Sequence, residues 1–97
     1  MKLRREYRIG TRVFKTKAMD QDWRDDAGLR GQIKYAERLI QLHMGDPEPM
    51  KVLMHEVIHA LEAEHGPDSP IPEWLVWVLG DHIVQFCRDN DVDLLGS

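Results

Sequence analysis

The segment that most constrains the fold is residues 50–65, where helix-forming residues follow one another without glycine or proline. Prolines precede the segment, and a glycine-proline pair ends it. Four apolar residues recur at the i, i+3, i+4, i+7 spacing of a single helix face. They are Met54, Val57, Ile58 and Leu61. We therefore predict a helix over residues 50–65 that packs through this face.

Residues 7–18, 32–35 and 38–43 have the β-branched, aromatic and alternating pattern of strands. Gly10-Thr11 divides the first stretch into a hairpin or bends it as one strand. A tight turn near Ala36-Glu37 joins the other two. The stretch 38–43 is either an ordinary paired strand or an edge strand to which a peptide could add.

A second helix is predicted from residue 69 to about residue 88, opened by two prolines. We expect an apolar stripe of this helix to face the core. The stripe consists of Leu75, Val76, Leu79, Ile83, Phe86 and Cys87. Trp74, Trp77, Val78 and Val84 lie largely off the stripe, and we expect them to be buried against other parts of the chain. Strands followed by helices predict an α+β fold, a small antiparallel sheet packed on two helices.

The chain of 97 residues predicts one domain over 1–97, with an arm (1–5) and a tail (90–97) expected to be mobile. A single cysteine excludes an internal disulfide and a cysteine-rich zinc site. No apolar run reaches the roughly 20 residues that span a bilayer, and the charged start does not resemble a signal peptide. We expect a cytoplasmic protein, a monomer or weak homodimer.

The net charge of −4 is unevenly distributed. Residues 1–17 carry seven lysines or arginines and one acidic residue, whereas the remainder is strongly acidic. A basic arm can bind nucleic acid, but the interleaved pattern is more typical of solvated strand faces. We therefore predict no nucleic-acid partner.

The residues that indicate a function form an HExxH pattern, His55-Glu56-Val-Ile-His59. Two histidines four apart on a helix lie one turn apart on the same side, so both imidazoles can reach one Zn²⁺ at about 2 Å. Glu56 is rotated by about 100° from His55 and can lie beside the metal as a general base. The apolar pair between the histidines is typical of a buried helix and not of a surface helix.

A catalytic zinc site needs a third protein ligand, and two residues are candidates. His65 lies six residues after His59, but the sequence between them favours an unbroken helix, which turns His65 about 240° away. Glu73 begins the second helix, and a short loop returns that helix alongside the first. Glu73 is therefore favoured, with His65 as the alternative.

The HExxH pattern with a downstream Glu73 resembles the gluzincin branch of zincin metallopeptidases. More narrowly, residues 6–90 resemble the minimal gluzincin-like proteins of prokaryotes and phages, in which the helix with the glutamate ends in a stretch similar to Arg88-Asp89-Asn90. Two tryptophans beside Glu73 and the additional His65 depart from the family pattern.

This resemblance implies a zinc metalloendopeptidase that hydrolyses peptide bonds through a zinc-activated water, with Glu56 as general base and a peptide or protein as substrate. The alternative is a non-catalytic zincin-fold domain that binds metal or another protein. Larger zincins also place a second donor at the oxyanion. Tyr35, His65 and His82 are the candidates for that role.

Overall fold

The computed structural model describes residues 3–19, 30–43, 47–66 and 70–94. Within these residues, four strands are followed by two helices. They are β1 (Glu6–Ile9), β2 (Arg12–Met19), β3 (Gly31–Lys34), β4 (Leu39–His43), α1 (Pro49–His65) and α2 (Glu73–Asp89). This order confirms the predicted α+β fold, a small sheet packed on two helices.

β1 and β2 form a hairpin and not one bent strand. Its turn places Gly10 at φ +61°, a left-handed conformation that glycine adopts without a side-chain clash. The carboxylate of Glu64 on α1 lies where a Cβ at Gly10 would stand. That carboxylate accepts hydrogen bonds from the backbone N–H and the hydroxyl of Thr11, at 3.0 and 2.6 Å. The turn is thereby attached to the C-terminal part of α1.

The sequence predicts an antiparallel sheet, and this prediction is wrong for one strand pair, because the sheet is mixed. Its strand order is β1-β2-β4-β3, and β4 runs parallel to β2 while the other two pairs are antiparallel. β3 and β4 form a local antiparallel pair, so the direction of the central pairing depends on which of them lies beside β2. β4 takes that place because it is the more apolar strand, with Ile40 and Leu42 fully buried.

β4 is consequently an interior strand, so the edge-strand interpretation of residues 38–43 is wrong. The edges of the sheet are β1 and β3. β3 suits an edge because Gln32 and Lys34 are polar and none of its residues is fully buried.

α1 is buried along a broad face that includes His55 and Glu56 as well as apolar residues. The predicted packing face is correct for Ile58, only partly buried at Met54 and Val57, and wrong for Leu61, which is 37% exposed.

α1 begins at Pro49, one residue earlier than predicted, where the missing N–H of proline leaves no donor unpaired. Val52 and Leu53 are each 1% exposed and belong to a core cluster with residues of β1, β2 and β4. Val52 also lies against Gly31 of β3. Full burial of such a side chain contributes about 1.5–3 kcal/mol to stability.

α2 turns a different face inward from the one that its apolar stripe predicts. Its buried residues are Val76, Gly80, Val84 and Cys87. Leu79, Ile83 and Phe86 are more than one-third exposed, so the predicted inward stripe is wrong for these three residues. The predicted burial is also wrong for Trp74 and Val78, which are exposed, and correct for Val84.

The rotation of α2 follows from its contact with α1. Gly80 has no side chain, so the backbones of the two helices approach closely: an added Cβ would lie 3.8 Å from the backbone nitrogen of His55. A hydrophobicity pattern gives glycine no weight and therefore places the inward face elsewhere on the helix. The observed rotation turns Glu73 and Trp77 towards α1.

The two ends of the described chain contact each other beside β1. The hydroxyl of Tyr7 donates a hydrogen bond to the carbonyl oxygen of Leu94 at 2.5 Å, and the guanidinium of Arg4 donates one to that of Asp93 at 3.3 Å. Residues 1, 2 and 95–97 of the arm and tail lie outside the described residues. Neither helix in the described part of the chain is long and apolar enough to cross a membrane.

Candidate metal centre

The two histidines of the HExxH pattern point into one cavity beside α1. They lie one helical turn apart, and their Nε2 atoms are 3.1 Å from each other. Their rings meet edge to face, with centroids 4.6 Å apart. This is the arrangement that the four-residue spacing predicts for a helix.

Glu73 completes a cluster of three donor residues. As the first residue of α2, it places one carboxylate oxygen 2.7 Å from Nε2 of His55 and the other 3.1 Å from Nε2 of His59. The predicted return of the second helix alongside the first accounts for this contact. Among the described residues, His55, His59 and Glu73 are the group whose donor atoms could hold a metal ion.

The donor set fits Zn²⁺ in type and in spacing. Imidazole nitrogens and a carboxylate oxygen are common zinc ligands, with bonds of about 2.0–2.2 Å. A tetrahedral ion with such bonds keeps its ligand atoms about 3.3 Å apart. The contacts among the two nitrogens and the two carboxylate oxygens, 2.7–3.1 Å, are about 0.2–0.6 Å shorter than this spacing, and three protein ligands would leave a fourth position for water or substrate.

His65, the alternative third ligand, does not join the cluster. It is the exposed last residue of α1, and the helix continues unbroken to that position. Because the turn between His59 and His65 stays helical, His65 points away from the cavity. The structure therefore favours Glu73 over His65 by position.

Glu56 lines the same cavity as the three donor residues and is almost completely buried, at 6% exposure. Burial is the main cause that raises the pKa of its carboxyl to about 7; His59 acts in the opposite direction, and the carboxylate of Glu73 adds to the effect of burial. A carboxyl with a pKa near neutrality can accept and release a proton under physiological conditions.

The buried His55 is held by stacking. Its ring lies against the indole of Trp77, with centroids 3.9 Å apart and planes inclined at 32°. The guanidinium of Arg30 lies 5.2 Å from the centre of the same indole. Among the described residues, Nδ1 of His55 has no hydrogen-bond partner. Burial lowers the pKa of His55, and the nearby Glu73 partly offsets this effect.

The partly exposed His59 is held by a hydrogen bond. Its Nδ1 lies 3.2 Å from Oε1 of Glu62, one turn further along α1. The second oxygen of Glu62 accepts a hydrogen bond from the backbone N–H of Ile71, just before α2. These hydrogen bonds, first that from Ile71 and then that from His59, lower the pKa of Glu62.

Sequence reasoning did not assign Glu62, Trp77 or Arg30 to the site. Two of them carried a signal that helical spacing could have revealed: Glu62 lies three residues after His59, and Trp77 lies four residues after Glu73. Arg30 carried no such signal, because its place beside Trp77 depends on the pairing of β3 and the rotation of α2.

The site opens into a cavity of about 400 Å³. One wall is formed by consecutive residues of the edge strand β3, Gly31, Gln32 and Ile33. Tyr35 follows this strand; burial and the carboxylates of the site raise the pKa of its phenol. Tyr35, His65 and His82, the three candidates for an oxyanion donor, are all exposed, and none of them lines the cavity.

Comparisons with protein families, with curated proteins and with solved structures found no match for this chain.

Proposed function

We propose that this chain is a zinc-dependent metalloendopeptidase in which His55, His59 and Glu73 hold the ion. One observation supports this most directly: the two histidine Nε2 atoms lie 3.1 Å apart, and each lies within 3.1 Å of a carboxylate oxygen of Glu73, beside the buried carboxyl of Glu56. Zinc bound there would supply Lewis acidity, which lowers the pKa of a water towards about 7 and polarises a carbonyl group.

Glu56 has the position of a general base in this reaction. It follows His55 directly, lines the cavity, and is not part of the three-donor group. Its carboxylate would take a proton from the attacking water and transfer that proton to the amine that leaves when the peptide bond breaks.

The cavity suits an extended peptide. β3 is an edge strand, so its outward backbone groups are available to pair with a further strand. Three of its residues line the cavity that contains the donor cluster. A peptide bound along β3 would lie beside the donor cluster, and backbone pairing would give weak sequence preference. Tyr35, at the end of this strand, is the one named oxyanion-donor candidate that experiences the carboxylates of the site.

The alternative is a non-catalytic zincin-fold domain that binds metal or another protein. Glu56 argues against this alternative. A structural zinc site is closed by four protein ligands and has no need of a base. Burial of a carboxyl that is not a metal ligand lowers the folding stability at neutral pH. Such destabilising groups occur most often at catalytic sites, where a shifted pKa is useful.

The decisive experiment measures bound zinc and peptide hydrolysis on the same protein samples. We expect Glu56→Gln to retain one equivalent of zinc. The rate of peptide hydrolysis should fall by about 10²–10⁴-fold, the usual contribution of a general base. Glu73→Ala should lose zinc and hydrolysis together. His65→Ala is the matched control, and it should retain both.

Two results would contradict the proposal. If the wild-type protein binds no zinc in the presence of excess metal, the metal centre does not exist. If the wild-type protein binds zinc tightly but cleaves no member of a broad peptide library, the non-catalytic alternative is correct.

A further inference from the structure

We propose that Glu62 is a positioning residue that orients His59 and, through the loop before α2, fixes the distance between His59 and Glu73. This inference rests on the proposed zinc site. It concerns a residue that neither belongs to the HExxH pattern nor reaches the metal itself, and it follows from the two contacts of one carboxylate group.

The first contact determines which nitrogen of His59 is available to the metal. An ionised carboxylate only accepts hydrogen bonds, so the Nδ1–H group of His59 is the donor in the 3.2 Å hydrogen bond to Oε1 of Glu62. A neutral imidazole with the proton on Nδ1 has its lone pair on Nε2. Nε2 is the atom that faces His55 and Glu73. Such carboxylate–histidine pairs also make the imidazole a stronger ligand.

The second contact holds the segment that carries Glu73. Oε2 of Glu62 accepts a hydrogen bond from the N–H of Ile71, two residues before Glu73. The carbonyl oxygen of the next residue, Pro72, accepts hydrogen bonds from the backbone N–H groups of Leu75 and Val76 in the first turn of α2. Hydrogen bonds therefore constrain the chain from Ile71 into the helix. Glu62 therefore links one metal ligand on α1 to the start of the helix that carries another.

α1 offers a matched comparison in Glu64. This carboxylate also accepts one backbone N–H and one side-chain donor, both from Thr11 in the turn between β1 and β2. It lies two residues from Glu62 and likewise attaches α1 to a neighbouring segment. It is not part of the donor cluster and does not line its cavity. Loss of Glu64 should thus affect the fold without affecting the metal.

The experiment measures the zinc dissociation constant of the full-length protein by competition with a chelator. We expect Glu62→Ala to weaken binding by about 10–100-fold, the usual effect of removing such a partner of a ligating histidine. Glu62→Gln should weaken it less, because its amide oxygen can still accept one of the two hydrogen bonds, which reach different oxygens of Glu62. Glu64→Ala should bind zinc as tightly as the wild-type protein does.

A second measurement uses the metal-free protein and follows hydrogen exchange of the Ile71 amide. Exchange should become faster in Glu62→Ala and stay unchanged in Glu64→Ala. Glu62→Gln preserves the shape of the side chain, so it tests the role of Glu62 if the alanine variant does not fold.

The inference is overturned if both Glu62 variants bind zinc as tightly as the wild-type protein, or if exchange of the Ile71 amide does not respond to Glu62→Ala. Neither result bears on the proposed peptidase function, which depends on zinc binding and peptide hydrolysis by the wild-type protein. A wild-type protein that binds no zinc contradicts the proposed function itself, and this result is distinct because it needs no variant.

Discussion

Glu56 and Glu62 lie on the same helix, six residues apart, yet they have opposite electrostatic environments. Glu56 is buried beside apolar side chains, and burial raises the pKa of its carboxyl to about 7. Glu62 lies nearer the surface and accepts two hydrogen bonds, which lower the pKa of its carboxyl. The first glutamate is suited to exchange a proton, and the second is suited to remain an acceptor.

The two histidines repeat this difference. His55 belongs to an inner side of the site, defined by His55, Glu56 and Trp77, where packing holds the ligand. His59 belongs to an outer side, defined by His59, Glu62 and Ile71, where hydrogen bonds hold the ligand. Stacking fixes the plane of an imidazole without selecting its protonated nitrogen, whereas a hydrogen bond to a carboxylate fixes both. Two histidines of one motif are therefore held in place by different interactions, stacking for His55 and hydrogen bonding for His59.

The largest effect on zinc binding is expected from substitution of His55 or His59, because each side of the site contributes one of these ligands. His55→Ala and His59→Ala each remove a direct donor to the proposed zinc ion. We expect each variant to weaken zinc binding by more than roughly 100-fold, the largest usual effect of removing a hydrogen-bond partner of a ligating histidine. The measurement is a chelator competition on both variants. Zinc binding that persists in only one of them would show that the two histidines are not equivalent ligands.

The next effect separates the two glutamates by pH in the metal-free protein. The folded-state pKa of Glu56, about 7, lies above its ordinary 4.5, so the folded protein binds the proton more tightly and loses stability as the pH rises between these values. At 1.36 kcal/mol per pKa unit, this shift corresponds to about 3 kcal/mol. Between pH 4 and pH 8, the stability of Glu56→Gln should therefore rise by about 3 kcal/mol relative to that of the wild-type protein. Urea unfolding at both pH values measures the difference.

Glu62 supplies the control for this experiment because the sign is reversed. A lowered pKa contributes stability that is present above the ordinary value of 4.5 and is lost as the pH falls through the folded-state value. Glu62→Gln should therefore be less stable than the wild-type protein at neutral pH. If both glutamine variants shift stability in the same direction, the contrast between the two sides of the site is wrong.

The smallest effect concerns the stacking support of His55. Trp77→Ala removes the indole that lies 3.9 Å from its ring, and an aromatic pair of this kind is worth about 0.5–1.5 kcal/mol. Zinc binding should weaken by about 2- to 10-fold. Trp74→Ala is the matched control, since this tryptophan is exposed on the same helix and should leave zinc affinity unchanged. Equal losses in both variants would argue against a specific role for the stack.

Local features of the fold were predictable from the sequence. The Gly10-Thr11 turn, the strands on either side of residues 35–38 and the extent of α1 each depend on residues close together in the chain. The mixed sheet was not predictable in this way. Either β3 or β4 could lie beside β2 with similar local geometry, and only the burial of β4 between two neighbours selects one pairing.

The site divides in the same manner. His55, Glu56 and His59 could be named from the sequence because helical geometry alone places them within one turn of each other. Glu73 could be favoured because a short loop returns its helix. The stacking of Trp77 on His55 could not be predicted, because the inward face of α2 depends on the close approach at Gly80 and not on the apolar stripe.

The order of the elements and the three motif residues on α1 follow from the amino-acid sequence, since helix periodicity and turn residues act over a few positions. The strand that borders the cavity, the rotation of α2 and the different supports of the two histidines follow from the folded chain alone. These features arise from packing between segments distant in the chain, where burial, close backbone approach and hydrogen-bond partners all depend on the complete fold.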